Sequence, residues 1–151
     1  MEKFYYNSPI GILEITCENN YLTALKSVAK VKTSSNETDF YKRIRTQLDE
    51  YFSGKRKVFD IKITQNGTDF QKKVWKELLK IPYGETLSYS EIAQNIGNEN
   101  ASRAVGGACN KNPIMIVVPC HRVIAKNGNL TGFAYGLTMK EFLLNLEKSN
   151  N

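Results

Sequence analysis

Ile114-Met115-Ile116-Val117-Val118-Pro119-Cys120-His121-Arg122-Val123 is the stretch on which the reading of this chain turns. Its apolar, mostly β-branched first half predicts a buried strand. That strand delivers a cysteine and the chain's one histidine just past a proline. A thiol attacks as thiolate, so a reactive cysteine needs a base, a cation or a polarising dipole beside it. On position alone the plainer reading of Cys120 is a small core residue with His121 as its satisfied neighbour. The other reading is a nucleophile next to its base.

Working outward, Ala101 to Asn110 predicts a helix dominated by small residues. Gly106 and Gly107 each cost about 1 kcal/mol against alanine in a helix interior, so something must approach this backbone closely. A neighbouring helix would do it, and so would a groove of DNA entered by Arg103. Ser88 with Glu91 forms a capping-box pattern ahead of Ile92, Ala93 and Ile96, with Gly97 as the stop. These two short helices read as a helix-turn-helix or as an ordinary helical corner. Thr68 with Gln71 repeats the box before Phe70, Val74, Trp75, Leu78 and Leu79, and Pro82 and Gly84 end that helix. Downstream, Met139, Leu143 and Glu147 recur at helical spacing, with Phe142 and Leu146 on the same apolar stripe. A carboxylate near a helix C-terminus opposes the dipole. A buried partner such as His121, or simple solvation, accounts for it.

Before Asn66-Gly67 the pattern changes. Phe4 to Val28 alternates and turns at Ser8-Pro9-Ile10-Gly11 and at Asn19-Asn20, which predicts a three-stranded antiparallel meander. Ala29 to Thr38 reads as a loop. Phe40, Ile44, Leu48 and Phe52 mark an amphipathic helix capped at Thr38 or Asp39 and stopped at Gly54. Val58 to Ile63 alternates again and is expected back in the sheet. The expected division is an N-terminal α/β unit over 1–67 and a helical unit over 68–151.

The composition, 41% hydrophobic and 24% charged, is that of an ordinary soluble globular chain. The net charge of +6 favours an anionic partner such as nucleic acid, but it divides evenly between the two units and does not say which one binds. Met1 to Tyr6 lacks a signal peptide's apolar region and no run is long enough to span a bilayer. Three cysteines without a C-x-x-C suit a reducing compartment, so a cytoplasmic protein is expected, with no membrane partner. One histidine leaves too few ligands for a structural zinc.

Pro119-Cys120-His121-Arg122-Val123, with Arg103-Ala104-Val105-Gly106-Gly107-Ala108 and Asn112-Pro113 upstream, resembles the O6-alkylguanine-DNA alkyltransferases, the methylated-DNA–protein-cysteine methyltransferases. The resemblance extends through Tyr83 to Tyr89, Ser90 to Ala93 and Lys140 to Glu147, and covers nearly all of residues 68–148. It implies an α/β protein with a ribonuclease H-like sheet-plus-helix domain and a helical, winged helix-turn-helix-like domain. Cys120 would take the alkyl group from O6 of guanine, and less efficiently from O4 of thymine, and keep it. His121 would receive the thiol proton through a water, Glu147 would orient His121, and Asn112 would tie the turn to the active segment. Because O6 is hidden in duplex DNA, the base would be flipped. The resemblance gives Arg103 the vacated stack and Tyr89 the target phosphate. It places Ser90, Ala101, Ala104, Gly106, Gly107, Cys109 and Asn110 against DNA, and Val123, Phe133, Ala134 and Tyr135 around the base. It implies no cofactor and no metal, and a monomer that can cluster along alkylated double-stranded DNA.

Three residues depart from the family pattern. Ala134 stands where some members place a serine that donates to O6, Tyr135 where some have glycine, and Cys109 near a position often used as an apolar wedge. Tyr135 narrows the expected pocket. A lesion-binding relative without efficient transfer is therefore the alternative reading. A transcriptional regulator and a Cys-His hydrolase are weaker rivals, the latter because no oxyanion-hole motif is visible.

Overall fold

The computed structural model describes residues 1–130 and 132–151. Strands β1 (Glu2–Ser8), β2 (Gly11–Glu18) and β3 (Tyr21–Ser27) form the expected meander in the order β1-β2-β3. Asn19 and Asn20 both adopt positive φ at its second turn, a conformation asparagine tolerates better than most residues. Register sets Phe4 opposite Ile15 and Tyr6 opposite Leu13, so alternate side chains fall on one face. That face packs on helix α1 (Asp39–Phe52), which buries Tyr41, Ile44, Leu48 and Tyr51. The Phe4 and Tyr41 rings stack at 4.2 Å. The N-cap is Thr38, whose side chain accepts from the Tyr41 amide.

Two expected strands are not strands. Ile63 makes a single bridge to Leu22, and Ile114 a single bridge to Leu25. Both segments lie on the same edge of β3 and share it, so each obtains about one rung and neither a ladder. The alternation over Val58 to Ile63 survives only as burial, with Phe59, Ile61 and Ile63 half-buried and Val58 exposed. Ile114 to Val118 is buried as expected, but it folds into tight turns just past its rung.

Helices α2 (Asp69–Leu78) and α3 (Tyr89–Asn95) each open with a complete capping box, Thr68 with Gln71 and Ser88 with Glu91. Helix α4 (Ser102–Asn110) starts one residue later than the pattern suggested, with Ala101 as its cap. A short parallel pair, β4 (Leu87–Ser88) with β5 (Val123–Ile124), brackets the turn that holds Cys120. Helix α5 (Leu137–Ser149) closes the chain. Trp75 of α2 is buried and donates from its indole N–H to the Ala108 carbonyl of α4 at 2.8 Å. Its ring leaves no room at Gly67, where an added Cβ would lie 2.5 Å from Cη2. Gly67→Ala is accordingly expected to cost about 1–3 kcal/mol of stability by overpacking, read from the urea unfolding midpoint.

Among the described residues no helix is long and apolar enough to cross a membrane.

Candidate active site

Past its bridge at Ile114 the chain reverses twice within six residues. Val117 N–H donates to the Met115 carbonyl at 2.8 Å around Ile116, whose φ of 71° is rare and strained for a β-branched residue. Cys120 N–H then donates to the Val118 carbonyl at 2.8 Å around Pro119, at φ −83° and ψ 66°. Both are three-residue turns, and Asn112 pins them from inside. Its side-chain amide donates to the carbonyls of Val118 (2.8 Å) and Ile114 (3.3 Å), and its carbonyl accepts from the Ile114 amide at 3.0 Å. Asn112 is buried, so these bonds act without competition from water.

Cys120 to Arg122 form a single 3₁₀ turn rather than a strand end. Successive side chains on such a turn still diverge, so Cys120 and His121 point apart. Cys120 is 6% exposed, and burial pushes its thiol up, with the Asn112 hydrogen bond and the Lys140 charge pulling the other way. His121 is wholly buried, and burial lowers its pKa, so the ring is neutral at physiological pH. Its Nε2–H donates to Glu147 Oε2 at 2.6 Å. Among the described residues its buried Nδ1 has no hydrogen-bond partner. A neutral imidazole whose one N–H is committed to a carboxylate has an open lone pair on the other nitrogen.

Glu147 is 1% exposed and collects five donors. Oε1 accepts from Arg122 Nε (2.8 Å) and Gly84 N–H (3.2 Å). Oε2 accepts from His121, from Arg122 Nη2 (3.1 Å) and from the Tyr51 hydroxyl (2.6 Å). Burial opposes its charge, but the hydrogen bonds from His121 and Arg122 and the Arg122 charge outweigh it and hold the carboxyl below the usual range. Arg122 also donates to the Ile81 carbonyl at 2.7 Å. The expected His121–Glu147 pairing is thus present, at the centre of a larger network.

The buried stripe of α5 is Lys140, Leu143 and Glu147, while Phe142 faces solvent, contrary to its expected place on that stripe. Lys140 Nζ donates to the Val123 carbonyl at 2.5 Å and lies 5.8 Å from the Tyr89 ring centre. Tyr51, Arg122 and Lys140 carry no assigned role in the sequence reading. Lys140 had a signal, a cation two helical turns before Glu147 on an apolar face. Tyr51 had none, being one apolar-face residue among several and 96 positions from its partner.

On α4, Arg103, Ala104, Gly107 and Asn110 are exposed on one side. An added Cβ at Gly107 would meet nothing within 4 Å, and one at Gly106 only the Tyr89 ring at 3.7 Å. Among the described residues only the Tyr89 ring, at the start of α3, comes near either glycine, and Gly107 faces open space. Ala101 and Cys109, expected against DNA, are turned into the core by the helical period, and burial raises the Cys109 thiol to about 12. Tyr89, Ser102, Arg103, Gly106, Asn110 and Gly132 line an open hollow of 310 Å³. Ser90 sits at the start of α3, its hydroxyl 3.0 Å from that of Ser88. Phe133 and Tyr135 pack edge-on at 5.7 Å with Ala134 exposed between them, and burial and the Cys120 charge both raise the Tyr135 phenol. Val123 is fully buried in β5. Among the described residues no group of three or more His, Cys, Asp or Glu could hold a metal ion.

Fold and site together define a class of protein that sets a buried cysteine, next to a histidine bonded to a buried carboxylate, beside two short helices joined as a helix-turn-helix. Comparison with known proteins agrees. Residues 1–65 match the ribonuclease-like domain of 6-O-methylguanine DNA methyltransferase, and residues 69–149 its DNA-binding domain. A methylated-DNA–protein-cysteine methyltransferase of Methanosarcina acetivorans is 49% identical over 95% of this chain and 96% of its own. One from Mycobacterium leprae is 46% identical over 94% and 89%. The crystal structure of Mycobacterium tuberculosis OGT in complex with DNA superposes at a TM-score of 0.93 with 44% identity, covering 99% of this chain and 94% of that one. The chain belongs to the 6-O-methylguanine DNA methyltransferase family.

Proposed function

We propose that this protein repairs O6-alkylguanine in double-stranded DNA by moving the alkyl group onto Cys120, once per molecule. The observation that carries this reading is the buried Cys120 turn, pinned by Asn112, beside a neutral His121 whose Nδ1 is the one uncommitted nitrogen. In the reaction the Cys120 S–H proton passes through a bridging water to Nδ1. Sulfur attacks the alkyl carbon in line, an S–C bond forms, the C–O bond breaks, and its electron pair stays on guanine O6. Glu147 stabilises the imidazolium that results. With Ala134 in place of a hydroxyl donor, the departing oxygen is served by Tyr89 and backbone amides near Gly132. No residue offers a route for removing the thioether, so turnover is single. O4-alkylthymine is the lesser substrate.

Base flipping is required to bring the lesion to Cys120, and α4 supplies the means. Its exposed Arg103 fills the vacated stack, and the small residues around Ala104, Gly106 and Gly107 admit the minor groove. Tyr89 and Ser90 meet the phosphates. The two units divide at residues 67 and 68, and the protein acts in the cytoplasm as a monomer that can cluster along DNA. Gly107→Ala tests the groove contact with opposite signs in two assays. It is expected to stabilise the fold by about 1 kcal/mol while weakening duplex binding in an anisotropy titration. Unchanged or tighter binding would remove Gly107 from the interface.

Reaction with methylated duplex is expected to add one methyl mass to the peptide bearing Cys120 and no more. An unmodified Cys120, under conditions where the duplex is bound, would favour instead a lesion binder without transfer. The half-buried Tyr135 is the feature that supports that second reading.

A further inference from the structure

Among the described residues the N-terminal unit is hydrogen-bonded to the reactive segment and its partner Glu147 at three places. Leu25 exchanges backbone bonds with Pro113 (2.9 Å) and Met115 (3.0 Å), and Gln65 donates to Asn112 at 3.3 Å. The third is Tyr51 of α1, which crosses to Glu147. Tyr51 is fully buried, edge-on to Phe52 and Tyr83 and tilted against Phe59, so its ring has one place to be. Its hydroxyl donates to the same Oε2 that accepts from His121. A carboxylate oxygen bonded to several donors is a weaker base toward each of them.

We propose that Tyr51 is a positioning residue for alkyl transfer: from α1 it fixes the Glu147 carboxylate so that His121 carries its proton on Nε2 and presents Nδ1 to the Cys120 thiol. The inference rests on the repair reading above and adds to it a residue from outside the helical unit. The titratable and charged groups facing the pair are Tyr51 from α1, Tyr83 after α2, Arg122 on the 3₁₀ turn and Lys140 on α5. For His121, burial is the largest influence and favours the neutral ring, Glu147 opposes it, and Arg122 and Lys140 side with burial. Tyr51 acts by moderating Glu147. Without its hydroxyl the carboxylate pulls harder on the imidazole, so His121 is protonated at a higher pH and is lost as a base sooner on acidification.

Tyr51→Phe keeps the ring and removes the donor. His121 is the chain's one histidine, so its ring nitrogens are assigned unambiguously by nitrogen NMR. The wild-type protein is expected to show a protonated Nε2 and a bare Nδ1. A proton found on Nδ1 overturns the inference without any variant being made. In Tyr51→Phe the His121 midpoint is expected to rise by about half a unit or more, a factor of about three in the equilibrium. The acid limb of the methyl-transfer rate should rise with it. A midpoint that stays at the wild-type value overturns the inference whatever the rate does, since a purely structural role would slow transfer without moving it. So does a moved midpoint with an unmoved rate profile. In the Glu147→Gln background Tyr51→Phe should shift nothing further, and a further shift would mean that Tyr51 acts by another route. Failure of the wild-type protein to accept a methyl group counts against the repair reading alone, because the His121 titration tests Tyr51 either way.

Discussion

Arg122→Ala is expected to cost the fold on the order of 3–5 kcal/mol and to remove methyl transfer with it. Arg122 is 7% exposed and gives Glu147 two of its five hydrogen bonds, and it also satisfies the Ile81 carbonyl. Truncating it strands a buried carboxylate, which is far more expensive than losing a surface pair. The pH dependence has a definite sign. In the native chain Glu147 is held below the usual carboxylate range, so its contribution is present above the unfolded value, about 4.3, and fades as pH falls through the folded one. In Arg122→Ala the folded value rises, so the deficit should be largest near neutrality and shrink in acid. Urea unfolding at neutral and acid pH measures both. Arg122→Lys keeps the charge but not the planar fork, so it should fall between wild type and alanine. A deficit below about 1 kcal/mol at neutral pH would put Arg122 among ordinary surface pairs.

The sequence yielded those features that local chemistry writes into neighbouring residues. The meander, the capping boxes at Thr68 and Ser88, and the helix-turn-helix all rest on signals within a few residues, and the structure has each of them. A carboxylate on an apolar stripe left a His121 partner and plain solvation both open for Glu147, and it was the family resemblance that set the pair beside Cys120; the structure has the His121–Glu147 bond. Composition alone could not show that Ile114 to Val118 and Val58 to Ile63 compete for one edge of β3, since each taken singly reads as a strand. Nor could it show that Ile116 bends backward, because nothing about isoleucine favours a positive φ. Tertiary context imposes that strain, and the Asn112 bonds hold it. Nor could composition show that Cys109 and Ala101 are buried while Arg103, Ala104 and Gly107 are exposed, because a motif does not say which helical face each of its members occupies.

His121→Gln isolates the base from the scaffold. The glutamine amide can donate to Glu147 where Nε2–H did, so the buried carboxylate keeps its donors and the network its shape. What disappears is Nδ1, which among the described residues has no hydrogen-bond partner. Cys120 then has no acceptor for its proton, while burial continues to hold it as a thiol. General-base assistance is worth about 10²–10⁴ in rate, so transfer from methylated duplex should slow by that factor in a single-turnover assay. Duplex affinity should be unchanged, because the binding surface proposed for α4 lies on another element. Stability should fall only slightly, which separates this variant from Arg122→Ala, where fold and activity are lost together. If His121 is the base, the acid limb of the rate profile should vanish, leaving a rate that follows thiol ionisation alone. Transfer within tenfold of wild type would show that the thiol loses its proton elsewhere, with His121 reduced to a spacer between Cys120 and Glu147.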